Sequence, residues 1–176
     1  MVAVIGNDYK LIGATPFAPN LGAEIRGVDF SKPVPDDQFA EIHDAFLTYQ
    51  VLFFKEQAEI PPEQHVAFGK RFGNLHAHPA APTMAGHPEI FEIHATRNSK
   101  VANGEFWHSD VSCDETPPLG TMLQIHIAPP CGGDTMFSNM YSAYDTLSEP
   151  VKRMLEGLTA THESEHTAKL PDRAIE

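Results

Sequence analysis

Between Asp36 and Tyr49 the apolar residues Phe39, Ile42, Phe46 and Tyr49 recur every three or four positions, the period of one face of a helix. Pro35-Asp36-Asp37 opens this helix and places carboxylates at the positive end of its dipole. Ahead of it, the segment from Tyr9 to Phe30 holds short alternating pieces broken by Pro16, Pro19 and Gly22, which predict two strands and a turn. Behind it, Val51-Leu52-Phe53-Phe54 is the short apolar run of a buried strand. Pro61-Pro62-Glu63 then starts a second helix, which runs to Phe72 and stops at Gly73.

The rest of the chain reads mainly as strands. Alternation and large or β-branched residues predict them over residues 89–95, 106–111 and 120–128, with a short one at 135–137 after the turn Pro129-Pro130-Cys131-Gly132-Gly133. Ser148 is the N-cap and Gly157 the stop of a last helix, and residues 158–163 alternate again. Early helices followed by many strands indicate an α+β fold with an antiparallel sheet at its core, of which a double-sheet roll is one form. Such a roll uses about eight strands. Fewer can be counted here, so the architecture is expected to be incomplete towards the C-terminus.

Composition narrows the function classes. The chain has 176 residues, with 12 Lys and Arg against 24 Asp and Glu, a formal net charge of −12. That length suits a single domain, here residues 1–176, with a core of its own. The acidic balance repels phosphate backbones and anionic lipid, so neither nucleic acid nor a membrane is an expected partner. The longest run of large apolar residues is far too short for a membrane span, and the N-terminus has no basic start of the kind a signal peptide needs. Cys113 and Cys131 make no disulfide framework and fit reduced thiols in a cytoplasmic protein. Ten histidines in so acidic a chain make metal chemistry worth testing.

The stretch Phe106-Trp107-His108-Ser109-Asp110 is the focus of that chemistry. On a strand, residues i and i+2 share a face, so the His108 imidazole and the Asp110 carboxylate would project together. With one further histidine they would form the facial triad that holds non-haem Fe(II) and leaves three positions open. Taken alone, a His-x-Asp tripeptide is equally a surface histidine beside a solvated carboxylate.

The wider context is more specific. Trp107-His108-Ser109-Asp110-Val111, Glu115-Thr116-Pro117-Pro118, Gly132-Gly133-Asp134-Thr135 and Ala143-Tyr144-Asp145-Thr146-Leu147-Ser148 occur in order. Upstream stand Val51-Leu52-Phe53-Phe54-Lys55 and Phe72-Gly73-Asn74-Leu75-His76-Ala77-His78-Pro79. In these motifs the chain resembles the taurine catabolism dioxygenase family (TauD/TfdA), Fe(II)- and 2-oxoglutarate-dependent oxygenases, over nearly its whole length. The resemblance implies a double-stranded β-helix, or cupin-like jelly roll, with flanking helices, of which this chain is the N-terminal portion. It implies that His108 and Asp110 are metal ligands and catalytic residues, that Thr135 helps hold the 2-oxoglutarate carboxylate, and that His78 meets the substrate headgroup. The bland alternatives are an ordinary strand role for Thr135 and a plain surface position for one or both of His76 and His78.

The cosubstrates implied are 2-oxoglutarate and dioxygen. Decarboxylation of 2-oxoglutarate to succinate and carbon dioxide would be coupled to hydroxylation of a small organic sulfonate, sulfate ester or carboxylate. A homo-oligomer in the cytoplasm is the expected setting. Departures from the family pattern bear on the substrate. Ala81 stands where taurine enzymes place a tyrosine, Ala168 falls at the position of a pocket phenylalanine, and Gly104 beside Asn103 replaces an asparagine. A bulkier substrate than taurine is therefore expected. None of His126, His162 or His166 has the context of the family's second histidine ligand, and Arg173 lies too near the C-terminus to be its 2-oxoglutarate arginine. The other readings are a truncated, non-catalytic binding module derived from such an oxygenase, and a site completed by a second chain.

Overall fold

The computed structural model describes residues 8–77, 83–96, 98–99 and 106–163. The chain divides into two compact units, one formed by Met1–Phe68 with Met122–Glu156 and the other by Gly69–Thr121 with Gly157–Glu176.

The first unit is built on a hairpin. Strands β1 (Gly13–Ala18) and β2 (Leu21–Arg26) pair antiparallel from Gly13↔Arg26 to Ala18↔Leu21, with Pro19 and Asn20 in the turn. Helix α1 (Asp36–Tyr49) follows, and strand β3 (Leu52–Phe53) returns to pair parallel with β2, Ala23 opposite Leu52. Gly22 sits at φ +82°, and a Cβ there would come 3.1 Å from the Phe53 ring. Only glycine fits this close approach of β2 to β3.

α1 ends at Gln50, which takes the left-handed conformation at φ +67° and donates its N–H to the Phe46 carbonyl. Its buried face is Ile42, Ala45 and Tyr49, and with Ile12, Ala23, Ile25, Val28, Phe30 and Ile60 these side chains make the core. Phe30 is edge-on to Phe54 and to Phe68, with ring centres 4.9 and 4.8 Å apart. The start of the described chain is tied to α1 by polar contacts. Glu41 accepts the backbone N–H groups of Lys10, Leu11 and Ile12, and Tyr9 donates its hydroxyl to Asp44 at 2.8 Å.

The later part of this unit contains two short helices, α3 (Met140–Asp145) and α4 (Glu149–Leu155). Asn139 caps α3 by accepting the Ser142 N–H, and its amide also donates to the Asn20 carbonyl in the hairpin turn. Gln124 receives the Ile60 N–H and donates to the Ala58 carbonyl, which lays its segment along residues 58–60.

In the second unit a 3-10 turn at Lys70–Phe72 ends at Gly73 (φ +138°). Strands β4 (Thr83–Met84) and β5 (His87–Phe91) form a hairpin around Gly86 at φ +84°. The second predicted helix is thus α2 (Pro62–Gly69) extended by the 3-10 turn, and α2 straddles the division between the units.

The α+β character stands, but four predicted strands are absent. Residues 106–111, 120–128, 135–137 and 158–163 carry no strand, and the described strands form one three-stranded and one two-stranded sheet. A double-sheet roll is therefore not completed by the described residues. Alternation alone does not make a strand, because each strand draws its stability from cross-strand pairs and one buried face. Residues 120–128 have neither within the described chain: Leu123, Ile125 and Ile127 are 60%, 66% and 87% exposed. Trp107 is also exposed. Among the described residues no helix is long and apolar enough to cross a membrane.

Candidate metal centre

His108 and Asp110 are brought together by a turn rather than by a strand. Residues 110–113 form the turn, which is closed by the Asp114 N–H donating to the Val111 carbonyl at 3.1 Å. Val111 lies at φ +49°, a left-handed conformation that β-branched residues avoid and that ends any extended run. The two side chains nevertheless meet, with His108 Nε2 3.2 Å from Asp110 Oδ1.

Hydrogen bonding settles the roles of the individual atoms. His108 Nδ1 is 2.6 Å from the Phe106 carbonyl oxygen. A carbonyl can only accept, so this nitrogen carries a proton. Nε2 is then either the second N–H of an imidazolium or a lone pair directed at the same place as a carboxylate oxygen. In the neutral imidazole those two lone pairs repel unless a cation lies between them. Two donors at cis positions of an octahedron, each about 2.1 Å from a first-row divalent metal, stand about 3.0 Å apart. The observed 3.2 Å fits that pair.

The other carboxylate oxygen is also held, since Thr121 donates its hydroxyl to Asp110 Oδ2 at 3.1 Å. A backbone carbonyl on Nδ1 and a hydroxyl on the far carboxylate oxygen are contacts of the kind that would orient a pair of metal ligands. Thr121 had no signal in the sequence, as it lies eleven positions from Asp110 in an irregular segment. Both ligand candidates are open to solvent, with side-chain exposures of 54% and 56%. No group of three or more metal-binding side chains forms among the described residues, so the donor set found here is two-membered.

Thr135 belongs to the first unit, where it lines a cleft of about 580 Å³ with Phe17, Asn20, Phe53, Phe137 and Asn139. His78 lies outside the described residues, as do His166, Ala168 and Arg173. His162 is described; its Nδ1 is 3.0 Å from Ser112 Oγ, and its segment is not helical. His126 is exposed in the first unit, on an irregular segment rather than a strand.

Residues 13–175 match the family described as taurine catabolism dioxygenase TauD, TfdA family. The chain belongs to that family. Along its full length it is 32% identical to an alkylsulfatase of Acinetobacter baylyi, of which it covers 55%. Over 86% of its length it is 32% identical to an alpha-ketoglutarate-dependent sulfate ester dioxygenase of Pseudomonas putida, and covers 49% of that protein. Among solved structures, a taurine dioxygenase from Burkholderia xenovorans is similar with a TM-score of 0.68 and 34% identity, over 84% of this chain and 52% of that one. This TauD/TfdA chain thus spans about half the length of the curated relatives it matches.

Proposed function

We propose that this TauD/TfdA chain supplies two iron ligands, His108 and Asp110, of an Fe(II)- and 2-oxoglutarate-dependent dioxygenase that hydroxylates a small organic sulfate ester. The observation that carries the reading is the 3.2 Å approach of Nε2 to Oδ1 while the Phe106 carbonyl occupies Nδ1. When bound, iron with 2-oxoglutarate and dioxygen supplies the oxidising power, and the protein supplies placement. His108 presents Nε2, and the Thr121 hydroxyl turns the Asp110 carboxylate so that Oδ1 faces the same point. The family resemblance assigns Thr135 to the 2-oxoglutarate carboxylate and His78 to the anionic headgroup of the substrate.

Sulfate esters are favoured over sulfonates and carboxylates by the two relatives named for them. Hydroxylation at the carbon bearing the ester oxygen gives an unstable adduct, which collapses to an aldehyde and free sulfate. Succinate and carbon dioxide account for the 2-oxoglutarate. The test is anaerobic addition of Fe(II) and 2-oxoglutarate, followed by air and an alkyl sulfate. A visible charge-transfer band and then succinate and sulfate in equal amounts are expected, and both are lost in His108→Ala and in Asp110→Ala. A band indifferent to both substitutions refutes the ligand assignment. Absence of any band supports the non-catalytic binding module instead.

A further inference from the structure

The turn that begins with Asp110 is held at three alternate positions. Thr121 holds Asp110, His162 Nδ1 stands 3.0 Å from Ser112 Oγ, and His76 Nε2 stands 3.0 Å from Asp114 Oδ2. All of these residues belong to the second unit. His162 is fifty positions from its partner, and His76 comes from the segment after the 3-10 turn, two residues before His78 in the sequence. We propose that His76 and His162 are positioning residues for the metal centre: by gripping Asp114 and Ser112 they fix the turn that aims Asp110 at His108.

The inference rests on His108 and Asp110 being metal ligands. Its physical basis is the turn itself. Val111 sits in the left-handed region, and Asp110 is more than half exposed, so little packing around it selects the conformation. A short solvent-facing turn with a β-branched residue at positive φ relaxes unless something fixes its far end. The His76–Asp114 contact, with side chains 28% and 43% exposed, adds little to overall stability as a surface pair. Its effect is to select one shape of the turn. No local pattern in the sequence marks His76 for this role, because its partner is contributed by a distant segment.

The test uses the full chain with Mn(II) as the probe, followed by electron paramagnetic resonance. His76→Ala and Asp114→Ala each weaken Mn(II) binding by on the order of tenfold, the range seen for groups that orient ligands. The double variant is no weaker than either single one, and Asp114→Asn, whose amide oxygen still accepts from Nε2, restores most of the affinity. Amide hydrogen exchange across residues 111–114, measured without metal, quickens in the alanine variants. His162→Ala and Ser112→Ala follow the same pattern. A purely structural role would lower the melting temperature and leave the affinity of the folded protein unchanged. Wild-type affinity and unaltered exchange in Asp114→Ala overturn the proposal. Should His108→Ala abolish Mn(II) binding while the clamp variants keep it, the positioning role alone fails. Should the wild-type chain bind no Mn(II), the ligand assignment fails and takes the positioning role with it.

Discussion

Ile42 is the largest fully buried side chain among the described residues, 1% exposed, on the helix face that continues with Ala45 at 0% and Tyr49 at 3%. It lies on the buried helix face, and α1 packs against β2 and β3. Replacing it with alanine removes three carbons, a transfer loss of about 2.4 kcal/mol at roughly 0.8 per methylene. Ala45, one turn further along the same face, is too small to refill the space, so a cavity contribution adds to this and the expected loss is about 2.5–4 kcal/mol. Leu47 is on the same helix but 58% exposed, and Leu47→Ala is expected to cost less than about 0.5 kcal/mol. Urea unfolding followed by circular dichroism at the helix band reports on this unit, because α1 is the longest described helix at 14 residues. The comparison holds if the slope against urea is the same in all three proteins. A loss in Ile42→Ala within about 0.5 kcal/mol of that in Leu47→Ala, the scatter of surface substitutions, would refute the placement of the core beneath α1.

Thr121→Val removes the donor to Asp110 Oδ2 while keeping the shape of the side chain, and is expected to weaken divalent metal binding by about tenfold. Thr121→Ser keeps the hydroxyl and should restore binding in the same Mn(II) titration. Asp29 tests acid stability. The Lys32 ammonium, the Ser31 hydroxyl and the Ser31 N–H hold its carboxyl down from 3.8 to about 2. Because the folded value is the lower one, this stabilisation is present above pH 3.8 and is lost as the pH falls through about 2. Asp29→Asn should therefore be less stable than wild type at neutral pH, with the gap closing as the pH falls across that window. A gap that stays constant in acid would refute the contribution.

Legibility followed the range of the forces involved. α1 was readable to the residue because its period and its acidic first turn are both local. The β1–β2 hairpin was marked by Pro19 and Gly22, and α4 by Ser148 and Gly157. The closeness of His108 and Asp110 was also legible, since a sequence separation of two keeps the side chains near one another whether the backbone is extended or turned. The geometry was misjudged for a local reason, the left-handed Val111. Residues 120–128 were misjudged for a distant one, since their alternating pattern is a statement about a neighbour that the described chain does not contain. The contacts of Thr121, His76 and His162 join segments far apart in sequence, and no spacing rule points to them. α3 was missed because six residues are too few to show a period; its evidence is the Asn139 cap.

The apolar side chains left in water carry a further consequence for handling this polypeptide. Leu123, Ile125, Ile127, Met136, Met140 and Tyr141 of the first unit are all at least 60% exposed, a combination that favours chains sticking to one another. The formal charge of −12 opposes this by mutual repulsion between molecules. Repulsion of that kind has a range of about 8 Å at physiological ionic strength and about 3 Å in molar salt, whereas attraction between apolar surfaces does not weaken with added salt. Colloidal behaviour is thus set by a contest whose two sides respond differently to one variable. Dilute buffer keeps the molecules apart, and raising the salt removes their protection before it touches the fold.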